Sequence, residues 1–285
     1  MRSHPAQGRT RWFGAAALGV AAAAAVAGCG IAGASESSVA HKHTLVIGVY
    51  ADQPSLGQLK GRDYQGFDID IARQVAHFMH VSDVRFKTIT AEKREGWLQD
   101  GTVDLVVGSY SITPERKTKV LFAGPYYVAH QGILVRAADA ARVKTVHDLA
   151  GRKVCMVPRS VSFPRVQKER GVPALPVQAA GYNDCLNKLV SKELDAVSTD
   201  DLILAGLFAK NAAGGGPPLT LVKTSFSDEP YGIGIKQGDV DGCEAVNKAI
   251  TQMYQQNIPA KLLANQFRSS GLVFTKTVPQ FEGCE

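Results

Sequence analysis

The stretch VDLVVGSYSITPERKTKVLFAGPYY, Val103 to Tyr127, decides what kind of fold the chain can adopt. Its run Leu105, Val106, Val107 is short, apolar and rich in β-branched residues, as a parallel strand covered on both faces must be, and it stops at Gly108. Ligands in open α/β sheets bind just beyond such strand ends. There the chain carries two hydroxyls, Ser109 and Ser111, then Thr113 as an N-cap, Pro114 at the first helical position and Arg116 on the first turn. A guanidinium fork beside a hydroxyl and loose backbone N–H groups suits a bidentate grip on a small carboxylate. A capped helix with a surface arginine fits the same residues, and spacing alone leaves both open.

Upstream, Thr44 to Val49 reads as a strand with Tyr50 at its end, and the turn-rich Ala51-Asp52-Gln53-Pro54-Ser55 makes a second candidate pocket loop. Gly66 opens a helix with Ile71, Val75, Phe78 and Met79 on one face. Asp68 and Asp70 fall in its first turn, where the helix dipole favours acids; nothing nearby completes a metal or acid–base site. Val84 to Ile89 is the next strand and Glu92 to Asp100 a short helix ended by Gly101, so the run is β-α-β-α-β. Arg94 follows a strand end, either solvated or facing the same sheet edge as Arg116.

Downstream, Gln131 to Arg136 leaves this unit as a strand and a second α/β series begins. It comprises strand Lys153 to Val157, a helix from about Ser160, a strand near Pro176 to Gln178, helix Asn183 to Val190, strand Asp195 to Ser198 and helix Asp201 to Ala209. Asn211 to Pro218 is a loop without the lysine of a phosphate loop. A strand at Tyr231 to Lys236 and helices at about Asp241 to Gln256 and Pro259 to Phe267 close the chain, with Val246, Ile250 and Met253 on one face. Ser160, Val161 and Ser162 open a helix after a strand, a ready anion site, and Asp200 ends another strand. Ordinary capping accounts for each separately. Together with Ser111 and Arg116 they offer a carboxylate grip from two sides and an ammonium acceptor, which is what a zwitterionic amino acid requires.

Composition sets the outer bounds. The 285 residues, 45% hydrophobic and 20% charged, suit one large or two modest globular domains. Of the net charge of +6, three units come from Arg2, Arg9 and Arg11, so the remainder has 32 − 3 = 29 basic against 26 acidic groups, too weak for nucleic acid. Residues 1–28 read as a leader: basic through Arg11, apolar from Trp12 to Ala27, then small residues, too short and Ala-rich for a good membrane span. Val26-Ala27-Gly28-Cys29 resembles the bacterial lipobox, which implies cleavage before Cys29 and lipidation of its sulfur. Residues 29–43 then form a tether of roughly 20 Å at coil dimensions. The other cysteines, Cys155, Cys185, Cys243 and Cys284, have three possible connectivities and no zinc spacing. Cys155 with Cys185 and Cys243 with Cys284 is preferred because each bridge then stays within one unit and leaves the units free to move.

The ordered set Gly66-Phe67-Asp68-Ile69-Asp70-Ile71, Ser111-Ile112-Thr113-Pro114-Glu115-Arg116, Phe122-Ala123-Gly124-Pro125-Tyr126-Tyr127, Asp148-Leu149-Ala150-Gly151 and Asp195 to Asp200 resembles the family-3 extracellular solute-binding proteins of ABC importers for polar amino acids, nearest the actinobacterial glutamate- and glutamine-binding lipoproteins. The resemblance implies a type II periplasmic-binding-protein-like α/β fold. Residues 44–135 and 231–285 would form lobe one and 136–230 lobe two, joined by two crossing strands at Leu134 to Arg136 and about Asp228 to Ile233. It implies that Arg116 and Ser111 hold an α-carboxylate, that the Ser109 carbonyl meets the α-ammonium, that Ser160 and the Val161 N–H bind from lobe two, and that Asp200 takes the ammonium.

Arg94 matches a basic residue used for acidic side chains in this family. Arg159 stands where relatives carry glycine, which puts the local backbone in question and offers a second positive group. Tyr50 completes the set. The resemblance further implies a monomeric, lipid-anchored, extracytoplasmic protein that needs no cofactor and delivers a free amino acid, glutamate first, to a membrane permease. A sensor lipoprotein would use the same pocket. A dehydratase on this fold would need an acid or base that His77, His80 and His130 do not supply by their placement.

Overall fold

The computed structural model describes residues 38–268, 270, 272 and 277–285; the expected leader, Cys29 and the tether up to residue 37 lie outside them. In chain order the first half runs β1 (Thr44–Val49), β2 (Asp52–Gln53), β3 (Gly57–Lys60), β4 (Asp63–Gln65), α1 (Phe67–Phe78), β5 (Asp83–Thr88), α2 (Arg94–Gln99), β6 (Leu105–Val106) and α3 (Pro114–Lys117). The long β7 (Val120–Arg136) leads into β8 (Lys153–Met156), α4 (Ser162–Pro164), β9 (Leu175–Gln178), α5 (Tyr182–Val190), β10 (Ala196–Asp200), α6 (Asp201–Ala213) and β11 (Leu219–Val222). The chain returns through β12 (Asp228–Lys236) to α7 (Val240–Gln255) and α8 (Ile258–Phe267).

Both lobes follow one plan. In the first, β1 lies between parallel neighbours β5 and β6, and β12 adds to β6 antiparallel. In the second, β8 lies between parallel neighbours β9 and β10, and β7 adds to β10 antiparallel. The orders β5-β1-β6-β12 and β9-β8-β10-β7 therefore correspond. Leu45, Ile47, Val49 and Leu105 are buried, as parallel strands covered on both faces require. Val246, Ile250 and Met253 of α7 bury the expected apolar face.

The crossing is a change of partner within continuous strands. β7 pairs with β12 from Val120 to His130 and with β10 from Gln131 onward, so the changeover falls at His130 and Gln131, ahead of the crossing expected at Leu134 to Arg136. The last residues of β7 are instead flanked on the other edge by β11, a strand hidden in sequence because it follows a Gly/Pro run. The small sheet β2-β3-β4 was equally invisible, its strands being two to four residues long and polar.

The described end of the expected tether is docked. Val39 is buried, the Ser38 hydroxyl and Val39 N–H donate to Asp239 at 2.6 and 2.9 Å, and the same carboxylate caps α7 through the Gly242 N–H at 2.9 Å. A buried valine and a shared acceptor hold what polarity alone reads as free coil. The cysteines pair as preferred: Cys155 of β8 with Cys185 of α5, and Cys243 of α7 with Cys284, at Cα separations of 5.7 and 5.8 Å.

The second pair closes a long loop and ties the chain end to α7. Replacing Cys243 and Cys284 together by Ala is expected to lower unfolding stability by about 2–4 kcal/mol under oxidising conditions. Urea denaturation reads the shift, and a midpoint equal to that of the native protein would show that this contact carries no bridge.

Candidate functional site

Every parallel strand of both lobes ends at the same cavity, about 400 Å³ in volume. Tyr50 follows β1, Thr88 to Glu92 close β5, Ser109 and Ser111 follow β6, Val157, Pro158, Ser160 and Val161 follow β8, Ala180 to Tyr182 follow β9, and Asp200 ends β10. That convergence is the strand-end rule acting twice, once per lobe.

Two guanidinium groups form the lobe-one wall. Thr113 caps α3 by accepting from the Arg116 N–H at 3.2 Å, with Pro114 behind it, and so aims Arg116 inward. Arg116 is 7% exposed; its Nη1 donates to the Ser111 carbonyl at 2.7 Å and its Nη2 reaches across the cleft to the Arg159 carbonyl at 3.3 Å. Arg94, 3% exposed, stacks on the Tyr110 ring at 3.9 Å, and Arg116 Cζ lies 5.1 Å from the same ring, so one buried aromatic serves both cations. Arg94 donates to the Tyr50 hydroxyl and to Glu95, both at the long distance of 3.4 Å. Burial, and then the neighbouring Arg94 charge, pull Arg116 down to about 10. Burial alone would raise the Glu95 carboxyl, but Arg94 and the Tyr110 hydroxyl outweigh it and hold it below its ordinary range. Two like charges kept this close out of water create a demand for an anion.

The lobe-two wall presents hydroxyls and a carboxylate. The Ser160, Ser162 and Tyr182 hydroxyls lie within 2.8–3.2 Å of one another. The helix expected from about Ser160 begins with the turn of α4, where the Ser160 hydroxyl accepts from the Ser162 N–H at 3.2 Å, and runs on as a π-helical turn over Arg165–Glu169. Among the described residues the Val161 N–H has no backbone partner, and Val161 lines the cavity. Asp200 is 3% exposed, and burial, followed by the Glu229 carboxylate, pushes it well above the usual carboxylate range. A cation brought to it would relieve that cost.

Of the nine residues expected here, eight line the cavity; Arg159 does not. Its side chain is half exposed and pairs with Glu95 at 3.4 Å, while its backbone takes φ 62°, the left-handed region that favours glycine. Arg159 therefore contributes a carbonyl to Arg116 and a strap between the lobes, without a charge in the cavity. The lobes also touch where α6 passes β2: a Cβ on Gly206 would come within 2.0 Å of the Pro54 carbonyl oxygen, which explains a glycine inside that helix.

Sequence reading missed Asp68. The helix dipole accounts for an acid at this position, yet the side chain is fully buried and accepts from the Ser109 N–H at 2.9 Å and the Tyr126 hydroxyl at 2.8 Å. It holds Ser109 at φ 39°, a strained conformation for serine, and so shapes the ligand loop. The clue available beforehand was its place one turn from a glycine opening a helix beside the candidate loop.

Comparison with known proteins agrees with this geometry. The family described as bacterial extracellular solute-binding proteins, family 3, matches residues 45–268. The glutamate-binding protein GluB of Corynebacterium glutamicum is 32% identical over 247 residues, covering 82% of this chain and 81% of the relative. The ABC transporter glutamine-binding protein GlnH of Bacillus subtilis is 31% identical over 262 residues, covering 85% and 91%. Among solved structures, an ancestral arginine-binding protein bound to arginine superposes with a TM-score of 0.72 at 31% identity, covering 79% of this chain and 99% of that one.

Burial raises the Asp68 carboxyl to about 6 against the two hydrogen bonds that oppose it. The folded state therefore retains a proton that the unfolded chain releases near pH ~4, so stability falls as pH rises between about 4 and about 6. Asp68→Asn is expected to reduce that fall by up to about 1.4 kcal/mol per pH unit. Denaturation midpoints across this window measure it, and a profile unchanged by the substitution would contradict the assignment.

Proposed function

The chain belongs to the family-3 bacterial extracellular solute-binding proteins, and from that premise we propose that it captures a free acidic amino acid, glutamate before aspartate or the amides, for an ABC importer. One observation carries the choice of ligand: Arg94 and Arg116 lie buried together on one wall of the cavity, and the buried Asp200 carboxylate lies on the other. Two cationic groups and one anionic group complement a molecule with two carboxylates and one ammonium.

In this reading Arg116 and the Ser111 hydroxyl hold the α-carboxylate, helped from lobe two by Ser160 and the Val161 N–H. Asp200 and the Ser109 carbonyl take the ammonium. Arg94, with Tyr50 beside it, takes the side-chain carboxylate. The name of the glutamate-binding relative supports the same class of ligand. Binding needs no cofactor and no covalent step, because charge pairing in a cavity closed from both sides supplies the affinity. The protein would act as a monomer, held by lipid on Cys29 at the outer face of the cell membrane, and the closed form would be what the permease accepts. Among the described residues no helix is long and apolar enough to cross a membrane.

L-Glutamate at 100 times its dissociation constant should stabilise the protein by about 2.7 kcal/mol in a thermal-shift screen of the common amino acids. Arg116→Ala should weaken binding about thirtyfold to a few thousandfold, since it leaves a carboxylate unpaired in a buried site. Arg94→Ala should harm glutamate and aspartate more than glutamine and asparagine. Equal losses for acids and amides, measured by calorimetry, would remove the acidic-ligand assignment.

A further inference from the structure

The Asp200 carboxylate is held from both crossing strands. It ends β10 in register with Gln131 of β7, whose Nε2 donates to Asp200 Oδ1 and, at 3.3 Å, to the Ser162 hydroxyl. From β12, the Tyr231 hydroxyl donates to Asp200 Oδ2 at 2.6 Å. Gln131 and Tyr231 are both fully buried.

Tyr231 is rooted in the opposite lobe. Its backbone bridges Ser111, with the Ile112 N–H donating to the Pro230 carbonyl at 2.7 Å and the Gly232 N–H to the Tyr110 carbonyl at 3.0 Å. The residue that orients the lobe-two carboxylate is thus stitched to the lobe-one segment that carries the carboxylate grip. Gln131 poses a different question, because its Oε1 is buried without a partner among the described residues. Turning the amide over would set that oxygen against the Asp200 carboxylate, so the orphan belongs to the arrangement. A buried acceptor without a donor costs stability, and methionine would fill the space without one. Packing therefore does not account for glutamine here.

We propose that Gln131 and Tyr231 are positioning residues that aim the Asp200 carboxylate at the ligand ammonium, one from each crossing strand: Gln131 holds the carboxylate within lobe two, and closure of the cleft brings the Tyr231 hydroxyl onto it. The inference rests on the amino-acid reading given above. Opening the cleft turns the chain at the changeover between His130 and Gln131, and between β11 and β12, so Gln131, paired in register with Asp200, moves with it, whereas Tyr231 stays with lobe one and is displaced. The other charges facing Asp200 are Glu229, which is paired with Arg165 at 2.7 Å, Asp201, which faces His130 at 3.3 Å, and Arg116. Removing a donor leaves the burial of Asp200 and the Glu229 repulsion less opposed, so protonation competes more strongly with ammonium binding as pH falls.

The test titrates L-glutamate by calorimetry into the native protein, Gln131→Met and Tyr231→Phe at about pH 8 and about pH 5, with unfolding of each ligand-free protein measured alongside. Each variant is expected to bind about tenfold to a hundredfold more weakly, the loss being larger at the lower pH. Gln131→Met is expected to unfold no more easily than the native protein. Unchanged affinity in both variants would overturn the proposal, as would losses equal at both pH values that track a matching fall in ligand-free stability, since those belong to packing. Native protein that binds no amino acid would remove the parent reading together with this one, whereas binding by the native protein with indifferent variants removes this one alone.

Discussion

Each lobe lacks a strand that the other must supply. A sheet edge with unpaired N–H and C=O groups in the interior is costly, so the lobe-one sheet is completed by β12 arriving from lobe two and the lobe-two sheet by the far half of β7. The 17-residue β7 therefore belongs to both cores, and no break between the lobes is possible without losing ladder hydrogen bonds. Relative movement must come from bending the two crossing strands. Ligand loops at the parallel strand ends, a cleft between them and a bend beneath them all follow from this single sharing of strands.

The cleft uses electrostatic imbalance as its means of recognition. Arg94 and Arg116 are kept out of water over one tyrosine ring, and Asp200 is kept out of water opposite them. Their protein partners are mostly neutral: Arg116 donates to the Ser111 and Arg159 carbonyls, Arg94 makes long bonds of 3.4 Å to Tyr50 and Glu95, and Asp200 accepts from Gln131 and Tyr231. A zwitterion with the matching charges relieves repulsion on one wall and desolvation on the other. An apolar ligand of the same volume would relieve neither. Asp68 and Thr113 act behind this display, setting the backbone from which Ser109 and Arg116 project.

Much of this was legible in the chain because local rules govern it. The apolar run before Gly108, the Thr113-Pro114 cap and the period of α7 each report a neighbourhood of a few residues, and the structure places those elements where the pattern put them. Eight of the nine expected site residues share one cavity for the same reason, since strand ends can be read locally and parallel strands bring their ends together. Arg159 lies outside that cavity: its backbone is left-handed at φ 62° and its side chain pairs with Glu95 across the cleft. Tyr231 and Gln131 looked like ordinary strand residues, and nothing within ten positions announces that both reach Asp200.

By itself the sequence determined the long helices and parallel strands, the repeated α/β plan, the strand-end residues and the inventory of charges. These depend on periodicity, capping and composition, which are properties of short stretches. The tertiary structure alone decided which charges meet, that Asp68 serves a loop rather than a dipole, that Ser38 and Val39 dock on Asp239, and that the crossing changes partner at His130 and Gln131. Those outcomes depend on burial and on hydrogen bonds between residues as many as 201 positions apart, where no local pattern carries the information.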